Sequence, residues 1–194
     1  MSHCPLLSVI TPVYNGATFI ENCISSVQQQ NCERVEHIIV DGGSWDGTQD
    51  IVSRYVKLDS RIKFHSEPDD GQSDACNTGL ALSRGKIISI LNVDDFYSRG
   101  ALRRAIELFN NFKEPALLIG NCRILGDRDE LQYINRPSHS SLFHFLAGFP
   151  FPANPSAYFY HRSLHDRIGG YDVNEHYAMD LDFLCRAVIE ADVH

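Results

Sequence analysis

Asp94 and Asp95 are the residues whose placement first suggests chemistry. They close the stretch GKIISILNVDDFY, Gly85 to Tyr97, in which a Gly-Lys turn leads into Ile87, Ile88, Ile90 and Leu91. So continuous an apolar run is the pattern of a strand covered on both faces. Two carboxylates at its carboxyl end stand where open α/β sheets bind their ligands. A pair there suits a hard divalent cation, because Mg2+ is commonly held by one or two carboxylates plus substrate phosphates. An ordinary polar turn punctuated by Asp is the other reading of the same residues.

The preceding elements decide what else reaches that rim. Leu6 to Thr11 is a β-branched run ended by Pro12, and it predicts a first strand followed by a Tyr14-Asn15-Gly16 turn. A helix with Phe19, Ile20, Cys23, Ile24 and Val27 on one face follows. Val35 to Val40 predicts a second strand running into Asp41, then a Gly-rich loop and a helix carrying Ile51, Val52, Tyr55 and Val56. Ile62 to His65 is a third strand, residues 67–71 a loop, and Ser73 to Ser83 a helix ended near Gly85. Strand and helix in strict alternation imply a mostly parallel sheet with helices on both faces. Tyr14, Asp41, Asp94 and Asp95 then sit at neighbouring strand ends, within reach of one ligand. The chain has neither a GxGxxG turn nor a GxxxxGK[ST] loop, so a phosphate would be held through a metal.

After Ser98 the texture changes. Ala101 to Phe112 predicts an amphipathic helix, and Ala116 to Leu125 a strand with a turn at Gly126-Asp127. Residues 135–157 are rich in Pro, Ser, Phe and His without a period, as expected of a lid or substrate-facing excursion. Ser156 to His161 predicts a short strand, and a last helix from Asp180 to Ala191 is still amphipathic when the sequence stops at His194. Phe143, Phe145, Phe149 and Phe151, beside Pro150 and Pro152, suit either an apolar lip for a lipid-linked acceptor or loop anchors tucked into the core.

The 194 residues, 43% hydrophobic and 22% charged, fit one globular domain. A formal net charge of -8 argues against a nucleic-acid partner, which needs concentrated Lys and Arg, but not against a phosphorylated small molecule with a bound cation. Six scattered cysteines form no CxxC pair and read as reduced thiols of a cytoplasmic protein. Nine histidines are dispersed, and His161 and His165, the one i,i+4 pair, lack the Glu of a zinc motif. The apolar runs are strand-length, and the start lacks the features of a signal peptide.

SVITPVYN, EHIIVDGGSWDGT, GQSDACNTGLALSRGKIISILNVDDFY and IGGYDVNEHYAMDLDFLCRA together resemble the family 2 glycosyltransferases of GT-A fold, in particular bacterial enzymes of colanic-acid and exopolysaccharide biosynthesis. The resemblance covers essentially the whole chain. It implies an α/β fold with a nucleotide-binding half, residues 1–97, and an acceptor-side half, residues 98–194, that looks shortened at its carboxyl end. It implies a nucleoside diphosphate sugar donor, a glycan or lipid-linked acceptor, Mn2+ or Mg2+, inversion at the anomeric carbon, and at most peripheral contact with the inner face of a membrane. Pro12, Val13 and Tyr14 match the segment that holds the base, and Asp41 the carboxylate that hydrogen-bonds it. Asn92-Val93-Asp94 stands at the DXD position, with Asp94 as metal ligand and Asp95 second; Asn in place of the first Asp removes one charge but keeps an acceptor carbonyl. Gly71 to Asn77, including Asp74, lies where the family contacts the sugar nucleotide. Asp180 falls at the catalytic base, where the helix dipole is expected to lower its pKa; Asp182, two residues on, points elsewhere. A nucleotidyltransferase is one rival, though it would carry a Gly-rich basic loop after the first strand; a nucleotide-sugar-binding module without catalysis is another.

Overall fold

In the computed structural model, residues 4–126, 128–137, 141–143, 147, 154–175 and 178–194 are described. Phe145, Phe149 and Phe151, with Pro150 and Pro152, fall outside them. Strands β1 (Leu7–Val13) and β2 (Val35–Asp41) are buried along their whole length, as is β4 (Ile87–Ile90). Together with β3 (Ile62–Ser66), β5 (Ala116–Ile119), β8 (Tyr158–His161) and β9 (Asp192–Val193) they form a seven-stranded sheet in the order β3-β2-β1-β4-β8-β5-β9. Every pairing is parallel except those of β8 with β4 and β5.

Period-2 alternation along the strands sorts the core onto the two faces. Ile10, Ile88 and Ile90 pack with α3 (Gln72–Leu82) and α6 (Met179–Glu190). Leu7, Val9, Ile87 and Leu91 pack with α1 (Ile20–Gln28) and α4 (Ala101–Phe109), and Ile39 with α1 and α2 (Thr48–Leu58). Helix α3 lies so close to β1 that a Cβ on Gly79 would stand 2.3 Å from Ile10 Cγ2, and only glycine permits that approach. A short helix α5 (His165–Ile168) precedes the Gly169-Gly170 turn.

Three sequence expectations change in the second half. The strand expected over Ala116 to Leu125 is two strands. It breaks at Gly120, whose amide donates to the Ala157 carbonyl at 2.8 Å, so β5 enters the main sheet while β6 (Cys122–Leu125) pairs antiparallel with β7 (Leu131–Asn135) as a separate ribbon. The helix expected to reach Phe112 ends at Phe109, with two turn bonds closing the remainder. The last helix stops at Glu190, and Asp192 and Val193 add a parallel edge strand to β5 where the periodicity suggested continued helix.

Polar groups inside the sheet are almost all paired. Ser8 Oγ donates to Glu36 Oε1 at 2.6 Å, and Lys63 meets the other oxygen of Glu36 at 2.5 Å. His37 is 1% exposed; its Nε2 hydrogen-bonds Thr11 Oγ1 at 2.9 Å and its Nδ1 has no partner among the described residues. Burial pushes the imidazole down to about 3, against a weaker opposing pull from the charge of Asp59. The unfolded chain therefore binds a proton below about pH 6.5 that the folded chain refuses until about pH 3. Stability is accordingly full above the unfolded value and falls as pH drops through this window, with a slope approaching one proton, roughly 1.4 kcal/mol per pH unit. Denaturant unfolding of the parent and of His37→Gln over pH 3.5–6.5 should show the slope reduced by up to one proton in the variant; parallel curves would refute the assignment.

Candidate functional site

The chain runs β1, β2, β3 in one direction from β1 and then crosses to β4 on its other side, so the sheet reverses between β1 and β4. Crevices at such switch points, outside the carboxyl ends of the strands, are where open α/β sheets bind ligands. A cleft of about 850 Å³ opens there. Pro12, Val13 and Tyr14 from the end of β1 and Asn92, Val93 and Asp94 from the end of β4 line it; Gly71 lines it at the start of α3.

The loop carrying Tyr14 is pinned to the loop after β2. Asn15 N donates to Ser44 Oγ at 2.7 Å, Gly16 N to Thr48 Oγ1 at 3.0 Å and Ala17 N to Asp46 Oδ2 at 3.0 Å, while Asn15 Oδ1 accepts from Trp45 N at 3.1 Å. A rigid loop thus presents an aromatic ring that is 63% exposed. Asp41 lies behind the cleft wall, fully buried. Its Oδ2 accepts from Ser44 N (3.1 Å), Gln49 Nε2 (3.0 Å) and Ser66 Oγ (2.7 Å), whereas its Oδ1 is buried with no partner among the described residues. An orphaned buried acceptor next to Gly42, itself in the cleft wall, is costly unless something donates to it.

At the end of β4, Gln72 Nε2 donates to Asn92 Oδ1 at 3.0 Å, joining helix α3 to the DXD-like turn. Asp94 is exposed and takes no hydrogen bond among the described residues. Asp95 turns away from the cleft. It accepts from Ser156 Oγ at 2.6 Å and Asn154 Nδ2 at 2.8 Å, and burial raises its pKa despite both bonds. Asp74 accepts from Asp70 N at 3.2 Å in the first turn of α3 and does not line the cleft. Asn77 spends its amide on Tyr171, donating to the carbonyl at 2.9 Å and accepting from the amide N–H at 2.8 Å, so it ties α3 to the Gly170 turn instead of facing a ligand.

Asp180 sits in the first turn of α6, half-buried. The expected lowering of its pKa is not found: desolvation by burial raises it. Burial raises the Cys76 thiol and the Tyr158 phenol, and the charge of Asp180 adds to both shifts, so Asp180 faces the α3 and β8 side of the molecule. Asp182 is consumed by Arg186, whose Nε lies 2.9 Å from Oδ2 and whose Nη1 caps the Ile168 carbonyl.

The strand-end reasoning, applied to β1, β2 and β4, passed over β3. Pro68, Asp69 and Asp70 follow it and line the cleft. Asp69 accepts from Gly71 N at 3.0 Å and stands against Gly42; burial raises its pKa, and the charges of Asp74, Asp41 and Asp70 add to the shift. The described lining thus holds Asp69, Asp70 and Asp94 and no Lys or Arg. No group of three His, Cys, Asp or Glu among the described residues would cage a metal alone. One open carboxylate beside a carboxamide oxygen instead fits a Mg2+ or Mn2+ whose remaining oxygens come from a diphosphate and water.

Comparison with known proteins agrees with this geometry. Glycosyl transferase family 2 matches residues 8–169. An uncharacterized glycosyltransferase of Mycobacterium tuberculosis strain H37Rv is 33% identical over 195 residues, covering 97% of this chain and 71% of the relative. A putative teichuronic acid biosynthesis glycosyltransferase of Bacillus subtilis is 39% identical over 104 residues, 53% of this chain and 41% of the relative. For an uncharacterized Bacillus subtilis glycosyltransferase that is 38% identical, the matched stretch spans only 30% of the relative. Among solved structures, S. aureus TarS 1-349 in complex with UDP superposes with a TM-score of 0.79 at 19% identity, covering 97% of this chain and 57% of that one. A Pyrobaculum calidifontis mannosyltransferase in complex with GDP-Man and Mn2+ gives 0.65 at 22%, covering 89% and 49%. Sheet order, cleft position and family match converge: the chain belongs to glycosyl transferase family 2 and has the GT-A fold.

Proposed function

We propose that this domain transfers a sugar from a nucleoside diphosphate sugar, a UDP-sugar, to a hydroxyl of a glycan or lipid-linked acceptor, with a divalent cation and inversion at the anomeric carbon. The observation that carries the reading is the cleft itself: an exposed aromatic, an orphaned buried acceptor and an open carboxylate at one switch point, with no basic side chain in the described lining. Tyr14 stacks on the base, and Asp41 Oδ1 accepts its imide N–H, an edge that uracil has and cytosine lacks. Asp94, with Asn92 beside it, would hold Mg2+ or Mn2+, and the cation would supply the positive charge that the leaving diphosphate needs. Asp180 accepts the proton of the acceptor hydroxyl as that oxygen bonds to the anomeric carbon. The bond from that carbon to the diphosphate oxygen breaks on the opposite face, and the nucleoside diphosphate departs. Burial of Asp180 favours proton uptake, since it makes the carboxylate a stronger base than an exposed one.

Residues 1–97 form the donor half and residues 98–194 the acceptor-facing half of this catalytic domain. Among the described residues no helix is long and apolar enough to cross a membrane. A lipid-linked acceptor would be met from the cytoplasmic side by peripheral contact, in the synthesis of a cell-envelope polysaccharide.

Calorimetric titration of UDP with and without Mn2+ tests the reading, with metal-dependent binding expected. Binding of a different nucleoside diphosphate would preserve the transferase and displace the uracil assignment; failure of all of them would leave a non-catalytic interaction module. Tyr14→Ala should weaken UDP binding roughly 5- to 100-fold, the effect of one lost base–aromatic stack, and an unchanged affinity would move the base elsewhere.

A further inference from the structure

The turn Asn92–Asp95 is anchored at every residue but one. The Asn92 amide donates to Ser156 Oγ at 3.0 Å, and its side chain is held by Gln72 at 3.0 Å. Val93 packs with the Val13, Ile20 and Ile24 cluster, and its Cγ2 comes so near Gly16 that a Cβ there would stand 2.9 Å away. The Asp95 amide closes the turn on the Asn92 carbonyl at 3.0 Å, and its carboxylate is gripped by Ser156 and Asn154. Only Asp94 is exposed without a hydrogen bond among the described residues.

Asn154 and Ser156 make this clip from the other half of the chain, about sixty residues away. Ser156 Oγ accepts from Asn92 N and donates to Asp95 Oδ2, so one hydroxyl bridges both ends of the turn. Asn154 Oδ1 accepts from Ser156 N at 2.8 Å while its Nδ2 reaches Asp95 Oδ2, which orients the hydroxyl and shares its acceptor. The clip is fixed in turn by β8, which begins two residues later and pairs with β4 itself. A carboxylate on a short turn reaches one productive direction only when the residues flanking it cannot rotate, and outer-shell bonds of this kind orient metal-binding carboxylates.

We infer that Asn154 and Ser156 are positioning residues for the cation and diphosphate, acting through Asp95 and the Asn92 amide to aim Asp94 into the cleft. The inference rests on Asp94 being the cation-facing carboxylate, as proposed above. It makes Asp95 a structural hinge pin for the turn instead of a second ligand, and it places two donor-site determinants in the acceptor-facing half.

The test compares Mn2+-dependent UDP binding by calorimetry, and Mn2+ retention by electron paramagnetic resonance, in the parent, Asp94→Ala, Ser156→Ala, Ser156→Thr, Asn154→Ala and Asn154→Asp. Ser156→Ala and Asn154→Ala should weaken metal-dependent binding about 10- to 100-fold, the usual consequence of losing an outer-shell partner, with metal-free uridine binding within about twofold of the parent. Ser156→Thr keeps the hydroxyl and should restore most of the affinity. Asn154→Asp sets a second carboxylate against Asp95 and should be worse than Asn154→Ala. If Asp94→Ala loses binding while the Ser156 and Asn154 variants keep it within about twofold, the positioning role is overturned and the donor site stands. Equal loss of metal-free uridine binding would show general collapse of the cleft and also overturn it. A parent with no metal-dependent binding removes the premise and the inference together.

Discussion

Asp94→Ala should abolish the metal-dependent part of UDP binding, a loss of roughly 100-fold or more, beyond the 10- to 100-fold typical of outer-shell changes. The magnitude follows from how little else the cleft offers. Its described lining carries two further carboxylates and no basic side chain, so the diphosphate has no alternative counter-charge. In a cleft with several donors, one deletion is buffered by the others; here Asp94 is the one open carboxylate of its turn. Titration of UDP into parent and variant at several Mn2+ concentrations reads this directly. In the parent the apparent affinity should climb with Mn2+, and in the variant it should stay flat at the metal-free value. A variant that still responds to Mn2+ would transfer the ligand role to Asp69 or Asp70.

Asp180→Asn should lower kcat by about 100- to 10,000-fold, the usual worth of a positioned general base, and leave UDP affinity unchanged, because Asp180 does not line the donor cleft. Its pH dependence gives a second signature. Burial raises the carboxyl above its ordinary value near 3.8, so the acid limb of the parent profile, where activity rises as the base ionises, is displaced upward. The variant should lose that limb. Stability moves the other way. A carboxylate whose folded pKa is raised stabilises the fold only while protonated, below its unfolded pKa, and that contribution disappears as pH rises through the folded value. At neutral pH the charged form is therefore a burden, and Asp180→Asn should unfold at the same or a higher temperature. A variant of unchanged kcat, or one that loses donor binding in proportion, would remove Asp180 from the chemistry.

The first half of the molecule was largely legible in the sequence because its elements are simple. The short β-branched runs at β1, β2 and β4 read as buried strands from their length and composition, and each ends in a residue of distinct chemistry. The second half was less so. Gly120 divides what composition presents as one strand, and which sheet each piece joins is decided by the Ala157 carbonyl, thirty-seven residues away. Asp95 and Asn77 carry motif identity but spend their polar atoms on protein partners. Spacing along the chain reports which residue stands at a strand end; it does not report which way the side chain is turned by partners such as Asn154 and Ser156, which lie in a segment without periodicity. Asp180 is the instructive case. The macrodipole is a local property readable from sequence, whereas the desolvation that raises the Asp180 pKa comes from elements that meet only in the folded chain.

A cleft walled by Asp69, Asp70 and Asp94 also governs how a catalytic cycle would end. Once the sugar has been transferred, a nucleoside diphosphate with several negative charges faces three carboxylates. At separations of a few ångströms each unscreened pair repels by about 1 kcal/mol even at the dielectric constant of water. A cation held at Asp94 would offset that repulsion, and its loss would favour departure of the product. If the proposed cation site holds, escape of product and escape of cation would be coupled, and added chelator should speed product release where added Mn2+ slows it.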